Sequence, residues 1–283
     1  MSTKFKVFRE FTSDDSFLNQ VIPENITEFQ VTLSLARDYD GNNSTNGKFI
    51  PYWDTEKVTP EVIKKFKKKY EPTALRVKVL VSIGNKNKQF PFTIGSDSNS
   101  EAWVSEATAS LKSIIKTYNL DGIDVSYEDI AANEADFVNS VGGLVRNLKQ
   151  NKLITVASFA TSADAANNKF YNLLYAEYAT FFDTVVFLSW VGFTPSRANP
   201  VASLEEKILA VANEYKAVKA FLVAYSTVAE DWANFSPPIF FITLHGLLGN
   251  SAVKGASIKV ISDATASFPA KWIPEILLLA ASK

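Results

Sequence analysis

The segment Asn119–Asp129 reads NLDGIDVSYED. Its centre, Gly122–Tyr127, is a short run bounded by turn-forming residues, and this predicts a β-strand. In a strand, Asp124, Ser126 and Glu128 are two residues apart and share one face. Acids on a strand face covered by protein need a reason, because burying a lone carboxylate costs several kcal/mol unless it is paired, hydrogen-bonded or protonated. Outward from this segment lie seven further short apolar runs. Phe5–Arg9, Glu28–Ala36 and Arg76–Ile83 precede it, and Leu153–Phe159, Thr184–Trp190, Lys219–Ala224 and Ser257–Ser262 follow it. Within them VTLSLA, VLVSI and VVFLSW are apolar nearly throughout instead of alternating, the pattern of strands covered on both faces.

Helical signals fill the gaps. Thr59-Pro60-Glu61 reads as an N-cap with proline at the first helical position, and the helix it opens runs into Lys67, Lys68 and Lys69, which complement its C-terminal dipole. Ser203-Leu204-Glu205-Glu206 reads as a capping box. Glu101–Thr117, Asn133–Lys149, Asn167–Phe181 and Pro238–Leu248 have helix-like spacing, and Trp272–Ala281 is expected to close the chain. Strand and helix thus alternate about eight times, which predicts parallel pairing. The expected architecture is α/β, a (β/α)8 TIM barrel forming a single domain over residues 1–283, with an open doubly wound sheet as the alternative. Two polar insertions, Arg37–Asp54 and Asn85–Ser100, follow predicted strands, which places them on the C-terminal face where barrel sites are built.

Composition narrows the chemistry. The 283 residues are 47% hydrophobic and 13% aromatic, ample for one large core. With 29 Lys+Arg against 30 Asp+Glu, the net charge of −1 gives no global attraction to nucleic acid or an anionic membrane. Zero cysteines remove disulfides and thiol chemistry, and His245 as the sole histidine removes multi-histidine metal sites. No cofactor is expected. The opening MSTKFKVFREF carries charges at Lys4, Lys6, Arg9 and Glu10 where a signal peptide needs an unbroken apolar stretch. No window approaches the length of a membrane span, the longest candidate being Pro237–Leu248. A soluble intracellular protein is the expectation, with cytoplasm and plastid both open.

The pattern D-x-x-D-x-D-x-E on a fourth strand is the signature of the family 18 glycoside hydrolases, chitinases and their relatives, and this segment resembles it at Asp121, Gly122, Asp124 and Glu128. Ser126 stands where the family has an aspartate. Val81-Ser82-Ile83-Gly84-Asn85 is similar to the family's third-strand S-x-G-G, with Asn85 in place of the second glycine. The resemblance implies substrate-assisted hydrolysis, with Glu128 in the general-acid position while the substrate's acetamido carbonyl attacks C1. The aspartate position held by Ser126 would orient the acetamido and balance the developing positive charge; a serine can hydrogen-bond but carries no charge. The family's tyrosine near the end of strand six and its tryptophan on strand eight have no counterpart in Phe187-Leu188-Ser189-Trp190 or Lys259-Val260-Ile261-Ser262, although Trp190 and Trp272 could fill part of that gap. Cysteine-free, signal-less barrels with an altered signature are similar to the plant narbonins and, above all, to the RuBisCO-associated kind. That resemblance implies a non-catalytic barrel in storage or protein association, with RuBisCO as the implied partner, and the missing tyrosine and tryptophan predict weak or absent oligosaccharide binding.

Alternatives stay open at several positions. Glu128 reads as a retained acid or as an inherited carboxylate held in a packed lumen. Asp121-Gly122 reads as part of the signature or as a turn into the strand, and Asp124 as a structural bridge between strands. Asp38-Tyr39-Asp40-Gly41-Asn42-Asn43-Ser44 has the oxygen spacing of a calcium loop, but Phe49 occupies the position where Glu is required. Lys64-Lys65-Phe66-Lys67-Lys68-Lys69, with Arg76 and Lys78, is a solvated helix end or a surface for an anionic protein. Trp53 and Trp103 are sugar-stacking platforms or core residues. A mouth plugged by Arg37–Asp54 would favour the non-catalytic reading, and an open groove would favour a chitinase-type hydrolase or lectin-like relative.

Overall fold

Eight parallel strands close into a barrel. They are β1 (Val7–Thr12), β2 (Glu28–Arg37), β3 (Arg76–Asn85), β4 (Gly122–Tyr127), β5 (Val156–Ser162), β6 (Thr184–Leu188), β7 (Ala220–Ser226) and β8 (Gly255–Lys259). Each pairs in parallel with the next, and closure comes from β1 pairing with β8 in the register Val7↔Gly255 through Phe11↔Lys259. The computed structural model describes residues 6–20, 22, 26–85, 90–226, 237–247 and 252–259. Among the described residues six α-helices lie between the strands: α1 (Pro60–Tyr70), α2 (Ser100–Tyr118), α3 (Glu134–Gln150), α4 (Ala165–Tyr178), α5 (Pro200–Glu214) and α6 (Pro237–Leu247). This is the closed (β/α)8 barrel expected from the alternation, and the open doubly wound sheet is set aside by the β1–β8 pairing.

The core divides by strand parity. Outward positions such as Val79, Val81, Ile123, Val125, Phe159, Phe187 and Val223 join the helices in one large apolar layer. Inward positions are split around the lumen. On the β1–β4 side they include Arg9, Gln30, Ser82 and Asp124, all buried. On the β6–β7 side Val186, Leu222 and Ala224 form a separate apolar cluster with Val7.

Helix starts follow side-chain caps at the C-terminal ends of the strands. Thr59 accepts from Val62 N, Asn99 from Ala102 N, Asn133 from Asp136 N and Asp164 from Ala166 N. The expected capping box at Ser203 is corrected: α5 starts at Pro200 behind Asn199, which accepts from Ala202 N, so Ser203 is already helical. An asparagine followed by proline at the first helical position is the stronger start. Strand β5 begins at Val156, not Leu153, because the Leu153 N–H closes the end of α3 on Leu148 O. Strand β1 runs on to Thr12. Trp272–Ala281, Phe5 and the expected end of β8 at 260–262 lie outside the described residues.

The Arg37–Asp54 insertion folds back along α2. Phe49 packs edge-on to Trp103 and Trp53 edge-on to Tyr118, while Ile50–Pro51 adds a short antiparallel strand to the end of β2. Arg37 stacks under Tyr52, 3.2 Å from the ring centre. None of these residues lines the cavity in the barrel lumen, so the insertion is no plug.

Candidate functional site

The acid-bearing strand is held by close backbone approaches on both sides. A Cβ on Gly122 would lie 2.2 Å from Val156 O, so glycine lets β4 meet β5. Gly84 has φ +119, and a Cβ there would lie 2.5 Å from Ser126 O, so glycine is also what lets β3 pass Ser126. The resulting register sets Ser82 and Ser158 on either side of Asp124.

Asp124 is the centre of a buried network. Arg9 Nη1 donates to its Oδ1 at 2.8 Å, with the two side chains 1% and 3% exposed. Ser82 Oγ donates to Oδ2 at 3.3 Å, and Ser158 Oγ donates to Oδ1 in a short bond. Arg9 also donates from Nε and Nη2 to Gln30 Oε1, at 2.8 and 2.5 Å, and Gln30 Nε2 donates to Glu28 Oε1 at 2.6 Å. Burial lowers the Arg9 pKa, and the Asp124 charge and hydrogen bond act against that. Asp124 is therefore a strand-bridging acid, and its bridge runs to Arg9 on β1 as well as to both neighbouring strands.

Ser126 is buried one step above Asp124, and Glu128 follows the end of β4 half-buried. Asp124, Ser126 and Glu128 line one cavity, as the two-residue spacing requires. Backbone support comes from Tyr171: its hydroxyl accepts from Tyr127 N at 2.8 Å and donates to Tyr127 O at 2.9 Å, and burial pushes its own pKa up. Asn167 Nδ2 donates to Glu128 O.

That cavity holds only ≈ 30 Å3, about one water's share of liquid volume. Small-molecule sites run to about 300–1,000 Å3. Val186, Leu188 and Ala224 close its apolar side, and Arg9, Trp190 and Lys259 line it too. Lys259 Nζ stands 5.8 Å from the Trp190 ring centre. At the strand-six end Ser189 is turned away, donating to Ala224 O at 2.7 Å.

Asp121 is not brought to this cavity. It precedes β4 at the opposite end, seven residues from Glu128, or about 20 Å along an extended chain. Its carboxylate accepts from Val79 N at 2.8 Å and pairs with Lys67 at 2.7 Å and Lys78 at 3.8 Å. It clamps β3, β4 and α1 together, and the tie to Lys67 draws one lysine of the basic cluster into the fold.

The remaining candidates have structural places. Trp103 and Trp53 are buried, 0% and 4% exposed, and so unavailable for stacking on a sugar. Asp38 is turned inward: Trp103 Nε1 donates to its Oδ2 at 3.1 Å, while Asp40 is exposed on a tight hairpin. Burial pushes the Asp38 pKa up to about 6. His245 sits half-buried in the last turn of α6. A further buried acid escaped the sequence reading. Glu10 on β1 accepts from Ser16 Oγ at 2.8 Å, its other oxygen has no hydrogen-bond partner among the described residues, and burial pushes its pKa up to about 7. Arg9, Gln30 and Ser158 were equally missed; the one available signal was a charged residue at an inward position of the first strand.

Comparison with known proteins agrees with this geometry. The model of the glycosyl hydrolases family 18 matches residues 24–234. Chitinase 1 of Tulipa saxatilis subsp. bakeri is 34% identical over 192 residues, 65% of this chain; the match spans only 60% of the tulip protein's own length. The catalytic domain of a family GH18 chitinase from the fern Peteris ryukyuensis superposes with a TM-score of 0.82 at 27% identity, covering 96% of this chain and 99% of that one. A family 18 chitinase from Crocus vernus gives the same TM-score and identity over 98% and 100% of the two chains. With an acid-bearing fourth strand, a closed barrel and these relatives, the chain belongs to family 18 of the glycosyl hydrolases.

Proposed function

We propose that this family 18 barrel is non-catalytic and acts in storage or in association with another protein, RuBisCO being the partner its resemblance implies. The observation that carries the reading is the charge arrangement around Asp124. Substrate-assisted hydrolysis builds positive charge on the sugar, and a protein lowers that barrier with preorganised negative charge. Ser126 offers none. Asp124 is already neutralised by Arg9 at 2.8 Å. Lys259 adds a cation to the same cavity, whose ≈ 30 Å3 is about a tenth of the smallest small-molecule sites. Losing one preorganised group typically costs ~10²–10³ in rate, and a positioned acid such as Glu128 supplies only ~10²–10⁴.

Two observations favour a second reading, a chitinase-type hydrolase or a lectin-like sugar binder: the Arg37–Asp54 insertion does not line or plug the lumen cavity, and the signature acid remains beside it. Glu128 stands half-buried at the end of β4 on the cavity wall. Hydrolysis of a fluorogenic chitotriose by the wild type and Glu128→Gln tests it, beside calorimetric titration with chitin oligomers. The expected result is no turnover above buffer in either protein and no dissociation constant in the low micromolar range. Ordinary enzyme turnover abolished by Glu128→Gln, or tight oligomer binding, would establish the second reading.

A further inference from the structure

The end of the barrel opposite Glu128 carries a second concavity. Strand starts frame a pocket of ≈ 290 Å3 whose wall includes Lys6, Arg76, Lys219 and Lys254 against two carboxylates, Glu28 and Asp183. Both carboxylates are already engaged. Glu28 accepts from Gln30 and pairs with Arg76 at 3.4 Å; Asp183 pairs with Lys219 at 2.6 Å and with Lys149. Lys6 and Lys254 form no ion pair among the described residues. The basic surface continues beyond the pocket onto the last turns of α1, with Lys68 and Lys69, and of α2, with Lys116, while Lys67 is held by Asp121. Because the whole chain has a net charge of −1, this basic face is balanced by acidic excess elsewhere.

We infer that the N-terminal face of the barrel docks an acidic protein surface, with the central pocket receiving one of that partner's carboxylate side chains. The inference rests on the protein-association reading above and adds the face that it uses. A small free anion fits less well: two of the pocket's four cations are spent on its own carboxylates, and the α1 lysines lie outside its wall, beyond such a ligand's reach. A single-stranded nucleic acid fits less well because no aromatic side chain among the described residues lines the pocket to stack bases. An extended acidic surface engages pocket and rim together, and complementary charge of this kind sets association rate and orientation.

The test uses the full chain with poly-L-glutamate as the acidic probe and a single-stranded oligonucleotide of equal charge as comparison. Two charge-reversal triples are made. Lys6→Glu/Lys68→Glu/Lys254→Glu changes the proposed face, and Lys48→Glu/Lys112→Glu/Arg197→Glu changes net charge equally elsewhere; none of the six residues forms an ion pair among the described residues. Circular dichroism confirms that both fold. Wild type is expected to bind polyglutamate at low salt and to release it as salt screens the face, with a loss of ~10-fold or more for the first triple and under ~2-fold for the second. Equal loss in both triples, no binding by wild type, or tighter binding of the oligonucleotide would overturn the assignment. Retention of purified RuBisCO by the same proteins separates the two ideas. If wild type and the first triple retain it equally, the face is wrong and the association stands. If wild type binds polyglutamate through this face but retains no RuBisCO, that partner is wrong and the face stands.

Discussion

Replacing Arg9 by methionine should strip the charge from the Asp124 network while filling most of its volume. Asp124 would keep the Ser82 and Ser158 hydroxyls and lose the one cation paired with it among the described residues, inside a pair of side chains 1% and 3% exposed. Breaking a buried ion pair from one side typically costs about 3–5 kcal/mol, because the surviving charge is left uncompensated. At about 2.1 cal/mol/K per residue, the unfolding entropy of 283 residues is about 0.6 kcal/mol/K. The melting temperature of Arg9→Met should therefore fall by about 5–8 °C. Gln30 Oε1, which loses two donors at 2.8 and 2.5 Å, pushes the fall toward the upper end. Adding Asp124→Asn removes the stranded charge, so the double variant should recover at least half of the loss, and Asp124→Asn alone should be destabilised by the converse stranding of Arg9. Scanning calorimetry on the four proteins of this cycle measures the coupling directly. A melting temperature for Arg9→Met within about 2 °C of wild type, or no recovery in the double variant, would refute the claim that the network is a buried ion pair worth this much.

Ser126→Asp alone should leave chitotriose hydrolysis at background, because the added carboxylate would stand beside an Asp124 already held by Arg9 and in a cavity of ≈ 30 Å3; a gain of ~100-fold or more would contradict this. Stability should fall as pH rises from about 4 to 7. Burial raises Glu10 from 4.5 to about 7 and Asp38 from 3.8 to about 6, so the folded chain binds more protons than the unfolded one across this window. The Glu10 share is about 3 kcal/mol, fully present below pH 4.5 and gone above pH 7. Glu10→Gln should raise the melting temperature at pH 8 and flatten the profile, and an unchanged slope would count against the assignment.

The sequence shows the alternation of strands and helices, the parity of Asp124, Ser126 and Glu128, and the helix start at Thr59-Pro60, because each depends on residues within a few positions of one another. It does not show what holds Asp124. Arg9 lies 115 positions away and reaches it only when β1 lies across the lumen from β4. Asp121 looked like part of the same acidic group because it is near in sequence, yet a strand carries residues seven apart to opposite ends of a barrel. Ser203 matched a capping pattern that Asn199-Pro200 pre-empts one turn earlier. Glu10 could not be told from a surface acid until Ser16 and the surrounding burial were known.

The lumen's division into a polar and an apolar side has a consequence for which substitutions the barrel tolerates. Between β6 and β7, Val186, Leu222 and Ala224 are held by burial, which is non-directional and accepts exchanges that keep volume. Around Asp124, two hydroxyls and a guanidinium converge on one carboxylate, and directional bonds of this kind fix the spacing of β1, β3, β4 and β5. Sequence drift in the strand wall is therefore confined to one semicircle. The other behaves as a keystone, in which any single change has to be matched by a second.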